Sequence, residues 1–242
     1  MDFWGTLLFD HASSDNRYKR RRMDDFEDIL AETGLSVSRR VLDAAYEASA
    51  TYLRRVWSDD RDVPVQNHVS AILAAADRDM PRRIRPSVMA ELVEAYARPV
   101  LFAPPAVDPG ARGALEQLAG RGYTLALVSN TMRTPGVTLR KLLEGFGLLA
   151  FFKHTTFSDE VGIRKPDPAI FMLSLRAVGG EAATAVHVGD DAVLDVQGGH
   201  AAGMRVVQVR SGSGPAPAEP RAEAIIPSLS ELPAAIQRLD GD

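Results

Sequence analysis

Apolar and polar positions follow two different rhythms along this chain. Across residues 17–101 the apolar side chains recur at three- and four-residue spacing, the pattern of helices that each bury one face. Phe26, Ile29 and Leu30 share a face of a first helix, which Gly34 ends. Ser38 precedes a long amphipathic stretch carrying Val41, Leu42, Ala45, Tyr52, Leu53 and Val56, and further helices are predicted over 65–76 and 87–97. Four helices and no convincing strand make this stretch a separate all-α unit.

Beyond Ala103-Pro104-Pro105 the texture changes. Asp108-Pro109 is a good N-cap and first-turn pair, opening a helix that runs to Gly120. Apolar runs at 123–128, 184–188 and 205–209, with a weaker one at 154–157, read as buried strands. Helical segments at 138–145 and 168–178, another ending at Gly203 and a last one after Ser230 separate or follow them. Strands alternating with helices predict right-handed parallel units and a doubly wound sheet. The expected fold is therefore α/β: a Rossmann-like core from residues 1–10 and 104–242, interrupted by an all-α insert over 11–103. Residues 211–220, rich in Ser, Gly and Pro, are expected to form a mobile surface loop.

Composition narrows the chemistry. A chain of 242 residues suffices for one large domain, or for a core with a smaller inserted unit. The net charge of −4 gives no global attraction to nucleic acid or membrane, and no apolar run approaches the ~18 residues of a membrane span. There is no cysteine, which excludes disulfides, thiolate zinc sites and thiol nucleophiles. The first residues are too acidic for a signal peptide, and a cytoplasmic setting is expected. Lys19-Arg20-Arg21-Arg22 looks like a basic patch, yet Asp24, Asp25, Glu27 and Asp28 follow at once, so a charge-paired helix is the better reading. His187 sits inside an expected strand and reads as a packed residue.

In open parallel sheets, ligands bind beyond the carboxyl ends of the strands. The polar residues there are Asp2 with Thr6, Ser129 with Asn130, Lys165 in its loop, and Asp190, Asp191 and Asp195. They supply a nucleophilic carboxylate, a hydroxyl donor, a fixed cation and an acidic cluster able to hold a hard divalent ion. Each has a plain structural alternative: a strand-ending turn for Ser129-Asn130, a helix start for Lys165-Pro166-Asp167-Pro168, a helix N-terminus for Asp190 and Asp191.

Taken together, these segments resemble the haloacid dehalogenase superfamily. Asp2-Phe3-Trp4-Gly5-Thr6-Leu7 is similar to its first motif, Leu127-Val128-Ser129-Asn130 to its second, Gly162-Ile163-Arg164-Lys165-Pro166-Asp167-Pro168 to its third, and Val188-Gly189-Asp190-Asp191 with Asp195 to its fourth. The helical insert falls where the superfamily's first cap type sits. The resemblance implies that Asp2 is the nucleophile and, with the Trp4 carbonyl and Asp190, a magnesium ligand. Ser129 would donate to the transferring group, with Thr6 and Asn130 also facing substrate, and Lys165 would balance charge. Asp195 would serve the metal from its outer shell or orient Lys165. A small phosphate ester is the implied substrate, turned over through an aspartyl phosphate.

Two departures from the family pattern stand out. Phosphatases of the superfamily carry a second aspartate two positions after the nucleophile as proton donor, and here that position is Trp4. Loss of a general acid–base group costs about 100- to 10,000-fold in rate. Three readings follow: a phosphatase that is slow or restricted to good leaving groups, a metal-independent 2-haloacid dehalogenase, whose halide needs no proton, or a catalytically degenerate binding protein. The retained acidic motif favours the first. The second departure is that only Met1 precedes Asp2, where a central strand should have several apolar residues; a short apolar strand encoded upstream is expected.

Overall fold

The computed structural model describes residues 1–10, 14–210 and 221–241. The expected loop at 211–220 and the expected start of the insert at 11–13 lie outside the described residues. Strand β1 (Leu8–Phe9) leads into helices α1 (Ser14–Glu32), α2 (Arg39–Trp57), α3 (Val65–Ala76), α4 (Met80–Arg83), α5 (Pro86–Ala97) and α6 (Pro99–Phe102). The chain leaves them through β2 (Ala106–Val107), antiparallel to β1 with Leu8 opposite Val107. The entry and exit of the helical insert are thus held side by side. Strands of two residues, and helices of a single turn such as α4 and α6, are too short to register as a periodic pattern, which is why the sequence shows four helices here and no strand pair.

The insert has a core of its own. Met23, Phe26 and Leu30 of α1 meet Leu42, Ala45 and Tyr46 of α2, Val69, Ile72 and Leu73 of α3, and Leu92, Ala95 and Tyr96 of α5. These spacings of three and four residues put each set on one helix face. Full burial of each large apolar side chain contributes about 1.5–3 kcal/mol, so the four faces hold one another.

The rest of the chain is the α/β core. It runs through α7 (Ala111–Gly120), β3 (Leu125–Ser129), α8 (Gly136–Gly145), β4 (Phe152–Phe157), α9 (Ser158–Val161), α10 (Pro168–Val178), β5 (Val186–Gly189), a π-helical turn at Ala192–Gln197, α11 (Gly198–Ala201), β6 (Arg205–Val209), β7 (Ala224–Ile226) and α12 (Leu232–Gly241). Strand β3 pairs in parallel with β4, and β5 with β6 and then β7. Met1 and Asp2 join the two ladders: the Val128 amide donates to the Met1 carbonyl at 2.9 Å, and the Asp2 amide to the Val188 carbonyl at 2.8 Å. The spatial order is β4-β3-(Met1-Asp2)-β5-β6-β7. Successive strand residues serve opposite faces: Leu127 packs with Leu115, Leu139 and Ile236, and Val128 with Ile170, Phe171 and Met204. Both faces are covered, as a parallel sheet requires. Strand β7 follows the glycine- and proline-rich stretch and escaped the sequence reading. The expected helix up to Gly203 is the π turn followed by α11.

Candidate active site

The carboxyl ends of these strands converge. Asp2 is 6% exposed, and its Oδ1 lies 2.7 Å from Lys165 Nζ. The same ammonium reaches Asp195 Oδ1 at 2.6 Å. Asp195 is fully buried, and both of its oxygens have protein partners: Oδ1 also meets His187 Nε2 at 2.8 Å, and Oδ2 accepts from the Asp191 amide at 3.0 Å. Carboxylate oxygens of Asp2, Asp190 and Asp195 all lie within 4.8 Å of one another. Asp190 is the open member of the trio. Its only side-chain partner among the described residues is the Thr6 hydroxyl, which donates to Oδ1 at a long 3.5 Å.

Two glycines make this crowding possible. Gly5 has φ +72°, and a Cβ there would stand 2.4 Å from Asp190 Oδ2. A Cβ on Gly189 would stand 2.2 Å from Asp195 Cγ. The first motif therefore turns over the fourth with no side chain between them.

Electrostatics follow from three carboxylates facing one side-chain cation. Burial pushes Asp2 up to about 6, against the pull of Lys165 and with a further push from Asp195. Burial and the charges of Asp2 and Asp195 raise Asp190 to about 7. Burial opposes the charge on Lys165, but Asp195 and Asp2 outweigh it and hold the ammonium at about 12. Burial likewise works against the Asp195 charge, and Lys165 and His187 overcome it, so its carboxyl is held well below the usual range. His187 falls to about 4, chiefly through burial. It is neutral near pH 7 and donates its Nε2 proton to Asp195. Expected as a packed strand residue, His187 does pack edge-on against Phe171 at 4.9 Å, and it also joins the site.

The remaining site residues named from the sequence fall close by. Ser129 is fully buried at the end of β3, and its hydroxyl makes only a marginal 3.5 Å contact with the Asn130 carbonyl. Asn130 grips the Lys165 backbone with both ends of its amide: Nδ2 donates to the Lys165 carbonyl at 2.9 Å, and Oδ1 accepts from the Lys165 amide at 2.8 Å. That fixes the lysine loop against the end of β3. Trp4 is half-buried and edge-on to Phe3 at 4.8 Å, and its Nε1 has no partner among the described residues.

A buried network joins the insert to this site, and the sequence reading missed it. Asp62 Oδ2 accepts from Arg164 Nη1 at 2.6 Å, from Ser158 Oγ at 2.5 Å and from Thr131 Oγ1 at 3.2 Å. Its Oδ1 accepts from Trp57 Nε1 at 3.1 Å. Main-chain bonds run alongside, from the Arg164 amide to the Asp60 carbonyl and from the Asp62 amide to the Gly162 carbonyl. Arg164 stands next to the lysine of the third motif. Nothing in the local sequence around Asp62 announces its partner.

A family model for haloacid dehalogenase-like hydrolases matches residues 1–203. The chain belongs to the haloacid dehalogenase-like hydrolases. It is 38% identical over 154 residues to the haloacid dehalogenase-like hydrolase domain-containing protein 3 of Mus musculus, covering 62% of this chain and 58% of that protein. It is 37% identical over 142 residues to the phosphoserine phosphatase of Thermus thermophilus, covering 59% and 55%. The chain thus spans little more than half the length of these relatives. Among solved structures, a 2-haloacid dehalogenase from Pseudomonas syringae superposes with a TM-score of 0.72 at 24% identity, covering 98% of this chain and 96% of that one. A phosphatase of the family from Thermococcus onnurineus gives 0.60 at 24% identity, covering 97% and 95%. At that identity these two show the fold, a Rossmann-like α/β core with a helical insert. Among the described residues no helix is long and apolar enough to cross a membrane.

Proposed function

We propose that this hydrolase is a magnesium-dependent phosphatase of a small phosphorylated metabolite in the cytoplasm, with Asp2 as nucleophile. The core would be residues 1–10 and 104–242, and the insert over 11–103 its cap. The observation that carries the reading is Asp190, an under-partnered carboxylate beside Asp2 with one lysine to balance both. An all-oxygen donor set with this excess of negative charge fits a hard divalent ion that keeps part of its water. Asp2, Asp190 and the Trp4 carbonyl would hold it. Asp195, whose oxygens are occupied, would sit behind them and aim Lys165. Bound there, the ion would neutralise charge on the phosphoryl oxygens.

The chain's own groups supply the rest. Asp2 Oδ attacks phosphorus, the bond to the leaving oxygen breaks, and an aspartyl phosphate forms. Lys165 and the Ser129 hydroxyl stabilise the charge on the transferring group. Water then attacks that phosphorus and releases Asp2. Relatives named for phosphoserine and phosphoglycolate hydrolysis, at 37% and 38% identity, favour this chemistry. Trp4 favours a second reading, dehalogenation, because a halide departs without a proton and the indole offers none.

A screen of phosphate esters and 2-haloacids, with magnesium and with chelator, separates them. Metal-dependent phosphate release supports the proposal. Halide release in chelator would replace it with the second reading, and silence on both would leave a binding protein.

A further inference from the structure

A cavity of about 510 Å³ opens from Trp4 and Gly5 toward α1 and α2 of the insert. Its far wall is rich in guanidinium. Arg22, only 2% exposed, donates to the Tyr96 carbonyl at 2.7 Å, the Tyr46 hydroxyl at 3.0 Å, the Arg133 carbonyl at 3.1 Å and Thr134 Oγ1 at 3.4 Å. All are neutral oxygens. Arg133 lies over the Tyr46 ring at 4.0 Å, and its Nη1 donates to Ser49 Oγ at 3.3 Å and the Tyr96 hydroxyl at 3.1 Å, again neutral. Arg54, exposed, donates among the described residues to Thr51 Oγ1 alone. None of the three forms an ion pair among the described residues, although buried charges ordinarily find one. Three carboxylates also line the cavity. Glu47 is held by Lys19 at 2.5 Å, Asp10 accepts from the Tyr18 hydroxyl at 3.1 Å, and Asp15 stands in the first turn of α1.

The free edge of Arg133 is the informative one. Nη1 is spent on Ser49 and Tyr96, whereas Nε and Nη2 have no partner among the described residues. Those two N–H groups lie parallel on one edge of the guanidinium, the arrangement that accepts a carboxylate through two bonds. The Tyr46 ring and the Nη1 bonds fix the plane in advance, so little ordering remains for a ligand to supply.

We infer that this wall is a second anion subsite, in which Arg133 and Arg54 hold a carboxylate on the substrate while its phosphoryl group lies at Asp2. The assignment rests on the phosphatase reading and narrows it to small phosphate monoesters of hydroxy acids. Arg22, behind the wall, adds positive potential and holds the Arg133 backbone.

Phosphonoacetate and methylphosphonate test it, because they differ by one carboxylate and contain no ester to cleave. Calorimetric titration with magnesium present should find phosphonoacetate bound about tenfold tighter. Arg133→Met should bring that ratio to within about twofold, with methylphosphonate affinity unchanged. Arg54→Met, at an exposed position with little bearing on folding, should lower the ratio part of the way. Equal affinities in the unaltered protein, a ratio preserved in both variants, or no binding of either phosphonate would overturn the subsite. Turnover of phenyl phosphate, which has no carboxylate, tests the phosphatase reading separately. No turnover beside an intact, Arg133-dependent ratio would remove that reading and keep the subsite.

Discussion

Arg164 reaches Asp62 at 2.6 Å across the seam between the helical insert and the loop that carries Lys165, and the two side chains are 7% and 0% exposed. Both carboxylate oxygens of Asp62 are engaged, and the Arg164 guanidinium also lies over the Trp57 ring at 4.6 Å and donates to the Thr131 carbonyl at 2.6 Å. A buried charge without its partner is costly, so removing one side of this pair costs far more than removing one side of a surface bridge would. Truncation with Asp62→Ala should destabilise the protein by about 3–5 kcal/mol in chemical denaturation. The double variant Asp62→Ala/Arg164→Met should lose less than Asp62→Ala alone, because no orphan charge remains. Equal losses in the two would mean that packing, not charge, holds the seam.

The metal assignment yields a sharper test. Asp190→Asn keeps the shape of the side chain and its contact with Thr6 but removes the charge that a divalent ion needs. Magnesium binding, followed by calorimetry, should fall below detection in this variant while the fold persists. Asp195→Asn should act differently. It should lower turnover by about 10- to 100-fold by loosening Lys165 and His187, and weaken magnesium binding less than Asp190→Asn does, since an occupied carboxylate acts on the site from behind the ligands. Unchanged binding in Asp190→Asn would show that the ion, if bound, sits elsewhere.

Much of this site is legible in the sequence because a parallel sheet brings strand ends together by construction. Once β3 and β5 are recognised, Ser129 and Asp190 must be neighbours of whatever ends the strand between them, and Asp2 is that residue. The unread part depends on contacts that no periodicity encodes. Asp62 and Arg164 are 102 positions apart, and each sits in a connection outside any helix, strand or turn. His187 looks like an ordinary strand residue until the π turn at Ala192–Gln197 folds Asp195 back beneath it. Asn130, expected to face substrate, also grips the Lys165 backbone with both ends of its amide, a contact that no spacing in the sequence encodes. Arg22 lies in the basic run expected to form a charge-paired helix, and there Lys19 and Arg21 do pair with acids, whereas Arg22 points inward at Tyr96.

Stability should also depend on Asp159, at the start of α9. Burial raises its carboxyl to about 6, although it accepts from the Gly136 amide at 3.1 Å. A carboxyl with its folded value above its unfolded value favours the folded state when protonated. That contribution is full below about pH 4 and is lost as pH rises through about 6. Asp159→Asn keeps the acceptor and removes the charge, so it should stabilise the protein at pH 8 by roughly 2 kcal/mol and make little difference at pH 4. Denaturant midpoints at the two pH values check this; a variant that is less stable at pH 8 would refute the sign.

Trp4 decides whether the chemistry runs to completion. The first step needs only a leaving group that departs without a proton, so an aryl or acyl phosphate should be cleaved far faster than an alkyl phosphate. The second step needs a base to activate water, and an indole cannot serve. Phosphoenzyme should therefore accumulate, seen as an initial burst of phenol from an aryl phosphate followed by a slow steady rate. Asp2→Asn should abolish both phases. Trp4→Asp restores a proton donor and acceptor at the position and should raise alkyl phosphate turnover by about 100-fold or more, the low end of what a positioned acid–base group contributes. The indole packs against Phe3, so the same variant leaves a gap that costs about 3–5 kcal/mol if it does not close, and stability must be measured beside activity. A folded Trp4→Asp protein as silent as the unaltered one, on aryl and alkyl esters alike, would move the chain from catalyst to binding protein.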